Sequence, residues 1–177
     1  RLLALALSVL LLRGGERVGL SGDALPPRAG RTQLLRMAER LADHAADYGT
    51  PEAQGIVSHG RAVFLSDFLG PLDGVQGALT RAADRGAKGV LMQVLDPAEE
   101  EFPFDGRTIF ESMGGSISHE TLRAGDLRAR YLARLAERKD QLQTLARRMG
   151  WHYHCHHTEQ GAQSALLWAW RALEGGR

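Results

Sequence analysis

Ala62-Val63-Phe64-Leu65-Ser66 and Gly89-Val90-Leu91-Met92-Gln93-Val94-Leu95 are continuous apolar runs of strand length. Neither shows the polar alternation of a strand with one wet face. Strands of this kind are covered on both sides, as in a parallel sheet. Between them residues 71–86 read as a helix closed by Arg85-Gly86, and Asp96-Pro97 stops the second run. Strand, helix, strand in that order implies a crossover connection and helices packed on the sheet.

Upstream, Glu16-Arg17-Val18-Gly19-Leu20-Ser21 reads as a short strand ending at Gly22-Asp23, and Pro26-Pro27-Arg28-Ala29-Gly30 as a loop. Thr32 is placed to cap a helix whose apolar face is Leu34, Leu35, Ala38, Leu41, Ala42 and Ala45. Residues 48–60 form a polar loop. The opening run 2–12, LLALALSVLLL, is apolar all round. It is too short to span a membrane, and no small-x-small cleavage site follows it. A helix ended by Arg13 and Gly14-Gly15 and covered on every side is the expectation.

Downstream, residues 98–116 hold the acidic run Glu99-Glu100-Glu101 and two apolar arms around Asp105-Gly106, a hairpin signal. A long helix is expected over 118–149, with an intermittent leucine stripe and an arginine-rich opposite face. Trp151-His152-Tyr153-His154-Cys155 alternates as an edge strand would, and residues 160–174 read as a closing helix. The expected class is therefore α/β, a mostly parallel doubly wound sheet with helices on both faces. A domain of this type ordinarily begins with a strand, whereas this chain begins with a helix. Residues 1–177 thus read as a single incomplete domain.

The chain has 177 residues, 44% of them hydrophobic and 24% charged, with a net charge of +1. That is a globular composition with no bulk attraction to nucleic acid. The single cysteine, Cys155, excludes a disulfide framework and a multi-cysteine zinc ribbon. No Walker loop, dinucleotide-binding glycine fingerprint or nucleophile elbow is present. Arg123, Arg128, Arg130, Arg134, Arg138, Arg147 and Arg148 are interspersed with carboxylates, as on a solvated helix face.

His152, His154 and His156 share one face of the last strand. Imidazoles at that spacing chelate zinc or nickel, and they also occur on histidine-rich exposed edges. Cys155 falls on the other face and reads as a small buried hydrophobe. Asp67 lies just past the end of a strand, at the carboxyl edge where open α/β sheets bind ligands. It is either a turn residue or a hard-cation ligand. Thr32, in Gly30-Arg31-Thr32, is either a helix cap or a hydroxyl ligand near the same edge.

Several collinear motifs resemble the bacterial domain-of-unknown-function-58 family. They are residues 10–20 (LLLRGGERVGL), Phe64-Leu65-Ser66-Asp67-Phe68, residues 94–100 (VLDPAEE), Phe104-Asp105-Gly106 and residues 146–151 (ARRMGW). The resemblance implies a von Willebrand factor A-like domain, with Rossmann-type layering and an association with MoxR-type AAA+ ATPases. It also implies that the central first strand is missing here. In such modules a metal-ion-dependent adhesion site joins Asp-x-Ser-x-Ser, a loop threonine and a later aspartate. Thr32 and Asp67 match the last two, and Asp-x-Ser-x-Ser occurs nowhere in the chain.

The expected function is a cytoplasmic, non-enzymatic protein-interaction module. Its partner would be a MoxR-type ATPase or its client, with no nucleic acid and no membrane span in this chain. Mg²⁺ would join the contact in the full-length protein and would not be tightly held by this chain. A metal-assisted hydrolase using Asp67 with the histidines is the alternative.

Overall fold

A computed structural model describes residues 1–23, 25–42, 51, 53–104, 108–111, 118–121 and 125–175. The elements run α1 (Leu2–Arg13), α2 (Arg31–Ala42), β1 (Arg61–Ser66), α3 (Leu72–Asp84), β2 (Lys88–Leu95), α4 (Pro97–Glu101), β3 (Thr108–Glu111), β4 (Ser118–Thr121), α5 (Gly125–Arg148), β5 (His152–His157) and α6 (Ala162–Glu174). The class is α/β, as the two apolar runs required. They form β1 and β2, and β5 completes a three-stranded sheet in the order β1-β2-β5. Both pairings are parallel, with Val63 opposite Val90 and Gln93 opposite Cys155.

Because side chains alternate along a strand, the sheet has two interiors. On one face Phe64, Leu91 and Trp151 meet Leu79 and Ala82 of α3 and Leu142, Leu145 and Ala146 of α5. On the other, Val90 and Met92 meet Leu7 of α1 and Ala165, Ala169 and Leu173 of α6. β2, buried at nearly every position, is the middle strand on which both cores converge. The indole Nε1–H of Trp151 donates to the Ala87 carbonyl at 3.1 Å, and its ring lies 5.2 Å from that of Phe64. This ties the entry of β5 to the entry of β2. Gly89 stands where β2 passes β1 so closely that a Cβ would fall 1.9 Å from the Ala62 oxygen.

Several expectations are corrected. Residues 16–21 add no strand to the sheet; Val18 makes one isolated antiparallel bridge to Arg28. Pro26 and Pro27 have no N–H to extend that ladder. α2 begins at Arg31, so Thr32 sits inside its first turn instead of capping it. The face that α2 buries is Gln33, Met37 and Leu41, while Leu35 is 52% exposed. The Gln33 amide draws the helix round by donating to the Val18 carbonyl at 3.0 Å. Ala45, expected on that face, lies outside the described residues.

α1 is a helix of the expected extent, packed on α6 and α2. Of its residues only Leu7 and Ser8 are fully buried, and Leu2 is 72% exposed, so it is half covered and not enclosed. The hairpin is also displaced. The arm 108–111 pairs antiparallel with 118–121, not with residues 102–104 across Asp105-Gly106. Residues 118–121 are thus strand β4, and the long helix starts at Gly125 instead of Ser118. Residues 105–107 and 112–117 lie outside the described residues.

Phe102 folds down: it is buried, with its ring 4.8 Å from that of Tyr131 on α5 and 5.3 Å from that of Phe104. No helix among the described residues is long and apolar enough to cross a membrane.

Candidate functional site

All three strands run the same way, so Ser66, Leu95 and His157 end at one carboxyl edge. Four neighbouring groups hold the turn after β1 there. The Gln93 amide, fully buried, donates to the Asp67 carbonyl at 2.8 Å, and its oxygen accepts from the Tyr153 hydroxyl at 2.7 Å. The Phe68 N–H donates to Ser66 Oγ at 3.2 Å, and the Leu69 N–H to Asp67 Oδ1 at 3.1 Å. Arg138 of α5 donates to the Gly70 carbonyl at 2.9 Å.

Phe68, buried, takes a left-handed φ of 51° that turns the chain away from the sheet. That conformation is costly for an aromatic residue and needs surroundings that over-determine it. The result is a rigid turn presenting an exposed Asp67 carboxylate. Burial pushes the Tyr131 hydroxyl above its ordinary range, and the carboxylates of Glu99 and Asp67 push it further. Burial likewise raises Tyr153, with smaller contributions from Cys155 and Asp140, so its hydroxyl stays a donor to Gln93.

A second group of side chains meets where β2 leads into α4. Asp96 caps that helix: Oδ1 accepts from the Ala98 N–H at 2.9 Å, while Glu99 Oε2 accepts from the Asp96 N–H at 2.7 Å. The other Asp96 oxygen accepts from the Thr158 hydroxyl at 3.0 Å, and the Thr158 N–H donates to the Leu95 carbonyl at 3.0 Å. The corner is thereby fastened to the end of β5. Glu100 then faces β5, pairing with Lys139 of α5 through one oxygen and with His157 Nε2 through the other, at 2.5 Å. Cys155 Sγ lies 4.0 Å from the same His157 nitrogen. Burial raises the Cys155 thiol above its usual range, against the opposing charge and hydrogen bond of Lys139.

Cys155 does lie on the face that Trp151 and Tyr153 share, but it is half-buried in this polar cluster and is not a small buried hydrophobe. Glu100 and Lys139 are brought in by α4 and α5, whose placement no local pattern reveals.

Of the three histidines on the other face, only His152 is exposed. His154 stacks on Trp168 of α6 with ring centroids 4.5 Å apart, and His156 is 4% exposed. Burial lowers both pKa values, and neighbouring imidazoles lower them further. Among the described residues the one His/Cys/Asp/Glu group whose ligand atoms converge is Glu100, Cys155 and His157.

Thr32 is exposed in the first turn of α2, and no hydrogen bond or ion pair joins it to Asp67 among the described residues. Asp67 Oδ1 already serves the turn. Two such oxygens would leave most of an octahedral Mg²⁺ shell to water.

Residues 2–141 match the family described as protein of unknown function DUF58. The chain belongs to this family. The match spans α1 through most of α5, so it takes in the Asp67 turn of this DUF58 domain and the Glu100–Lys139 pair. No curated protein matches the DUF58 chain, and no solved structure matches it.

Proposed function

We propose that this DUF58 domain is a protein–protein interaction module that docks its partner at the carboxyl edge of the sheet, and that it is not an enzyme. The observation behind this reading is the turn after β1. Hydrogen bonds from Gln93, Leu69 and Arg138 immobilise it, and it holds an exposed carboxylate, that of Asp67, on rigid backbone. A fixed charge loses little freedom on association, which favours docking onto a basic group of a partner. Following the resemblance noted above, the proposed partner is a bacterial, cytoplasmic MoxR-type AAA+ ATPase or its client, acting in complex assembly or maturation. The association itself rests on that resemblance alone.

The alternative, a hydrolase joining Asp67 to the histidines, finds no support in their placement. β2 lies between β1 and β5, and His154 stacks on Trp168 of α6, with His152 and His156 on the same face of β5.

The test is co-purification of a MoxR-type ATPase with the wild-type domain, with Asp67→Ala and with Asp67→Asn. The expected result is a loss of about tenfold in recovery for both variants, the scale of one charge-assisted contact. Equal recovery from all three proteins overturns the docking site. Loss of wild-type recovery on adding a chelator supports a metal-bridged contact in place of a direct one.

A further inference from the structure

The cluster beside α4 is separate from the Asp67 turn, and its geometry is selective. His157 presents one and the same nitrogen, Nε2, to the Glu100 oxygen at 2.5 Å and to the Cys155 sulfur at 4.0 Å. In a cysteine–histidine–carboxylate catalytic relay the imidazole must use opposite nitrogens, one for the thiol and one for the carboxylate. Here the sulfur, the nitrogen and the oxygen gather at one place, lying within 4.8 Å of one another. Convergence on a point is what a cation needs, not what a proton relay needs.

The frame around the three groups is built as well. Cys155 and His157 are two apart on β5 and so share a face. Glu100 is carried by a capped helix whose Asp96 is tied to Thr158, the residue directly after β5. The two elements that supply ligands are therefore locked to each other next to the ligands themselves, as outer-shell hydrogen bonds lock metal sites.

We propose that Glu100, Cys155 and His157 form a zinc-class metal site, with the Lys139 ammonium as the cation that takes its place when no metal is bound. The donor set decides the class. A thiolate and an imidazole with one carboxylate suit Zn²⁺ and its spectroscopic substitute Co²⁺, whereas Mg²⁺ and Ca²⁺ take oxygen. Lys139 pairs with Glu100 and hydrogen-bonds Cys155, so it already supplies positive charge to the same two groups. On metal binding the Cys155 thiol proton and the His157 Nε2 proton that faced Glu100 leave to solvent or, for the imidazole, to Nδ1; the metal–sulfur and metal–nitrogen bonds form in their place, and the lysine side chain swings outward as the ammonium. Three protein ligands leave a fourth position for water or a partner's side chain.

The test is titration of the whole chain with Co²⁺ followed by Zn²⁺ competition. Wild type is expected to show a thiolate-to-cobalt charge-transfer band in the near ultraviolet, and Cys155→Ser to lose it. His157→Gln and Glu100→Gln are expected to weaken Zn²⁺ binding by about tenfold or more, the loss that even an outer-shell partner causes. Lys139→Met, which removes the competing cation, is expected to tighten it. His152→Gln, on the other face, should leave the band unchanged. Circular dichroism checks that each variant is folded. A wild type without the band overturns the site, as does a folded His157→Gln or Glu100→Gln variant that binds Zn²⁺ as tightly as wild type. The second outcome would make the cluster a plain Lys139–Glu100–His157 ion-pair network.

Discussion

Trp151 does two jobs with one side chain. Its ring packs between Phe64 of β1 and the α3–α5 core, and its N–H satisfies the Ala87 carbonyl just before β2. Truncation leaves a large cavity and an unpaired buried acceptor together. Trp151→Ala is therefore expected to cost about 3–5 kcal/mol, read as a lower midpoint in urea denaturation with little change in slope. Trp151→Phe keeps most of the packing and loses the hydrogen bond, so its cost should be smaller, about 1–3 kcal/mol. Equal costs for the two would show that the hydrogen bond, not the packing, holds the strand entries together. Phe68 is the opposite case. Its left-handed backbone is held by the Ser66 hydroxyl and by burial of its own ring, so strain and support sit in the same residue.

At the scale of elements, the sheet was legible and its surroundings were less so. Continuous apolar runs mark β1 and β2 because a strand buried on both faces has no polar position to confuse the reading. Trp151 through Cys155 was legible because alternation is a local property. The stretch 16–21 misled because its alternation resembles a strand while its partner segment holds two prolines. The start of α5 misled because Ser118 is a good cap by residue type, yet residues 118–121 have a pairing partner in 108–111. α4 was hidden in an acidic run, although Asp96-Pro97 followed by Glu99 is a capping box written in the sequence. Asp67 was legible as a turn carboxylate at a strand end. The Glu100–Cys155–His157 cluster was not, since its members come from β5 and from a helix more than fifty residues earlier. Only the parallel pairing of β2 with β5 brings them together.

For the molecule as a whole, the α1–α6 face contains groups that oppose acid. His154 lies against Trp168 and His156 is nearly inaccessible, and burial holds both pKa values below the ordinary 6.5. The unfolded chain then binds more protons than the folded one as pH falls below that value, so stability is full above it and declines on acidification. The urea midpoint is expected to be lower near pH 5 than near pH 8. His154→Gln with His156→Gln should flatten that slope; an unchanged slope would assign it to other groups.

The strand order has a kinetic consequence too. β1 and β2 are neighbours joined by one helix, whereas Trp151 reaches Ala87 across 64 residues and Tyr153 reaches Gln93 across 60. Loop-closure entropy grows with the intervening length, by about 0.6 kcal/mol per doubling, and long-range pairing slows assembly. The β1–α3–β2 unit should therefore gain amide protection in pulsed hydrogen exchange before β5 does. Simultaneous protection would rule out that order. Until β5 arrives, one whole edge of the middle strand is left open. That interval, and not the native state, is when this chain is most prone to pair with a second copy of itself.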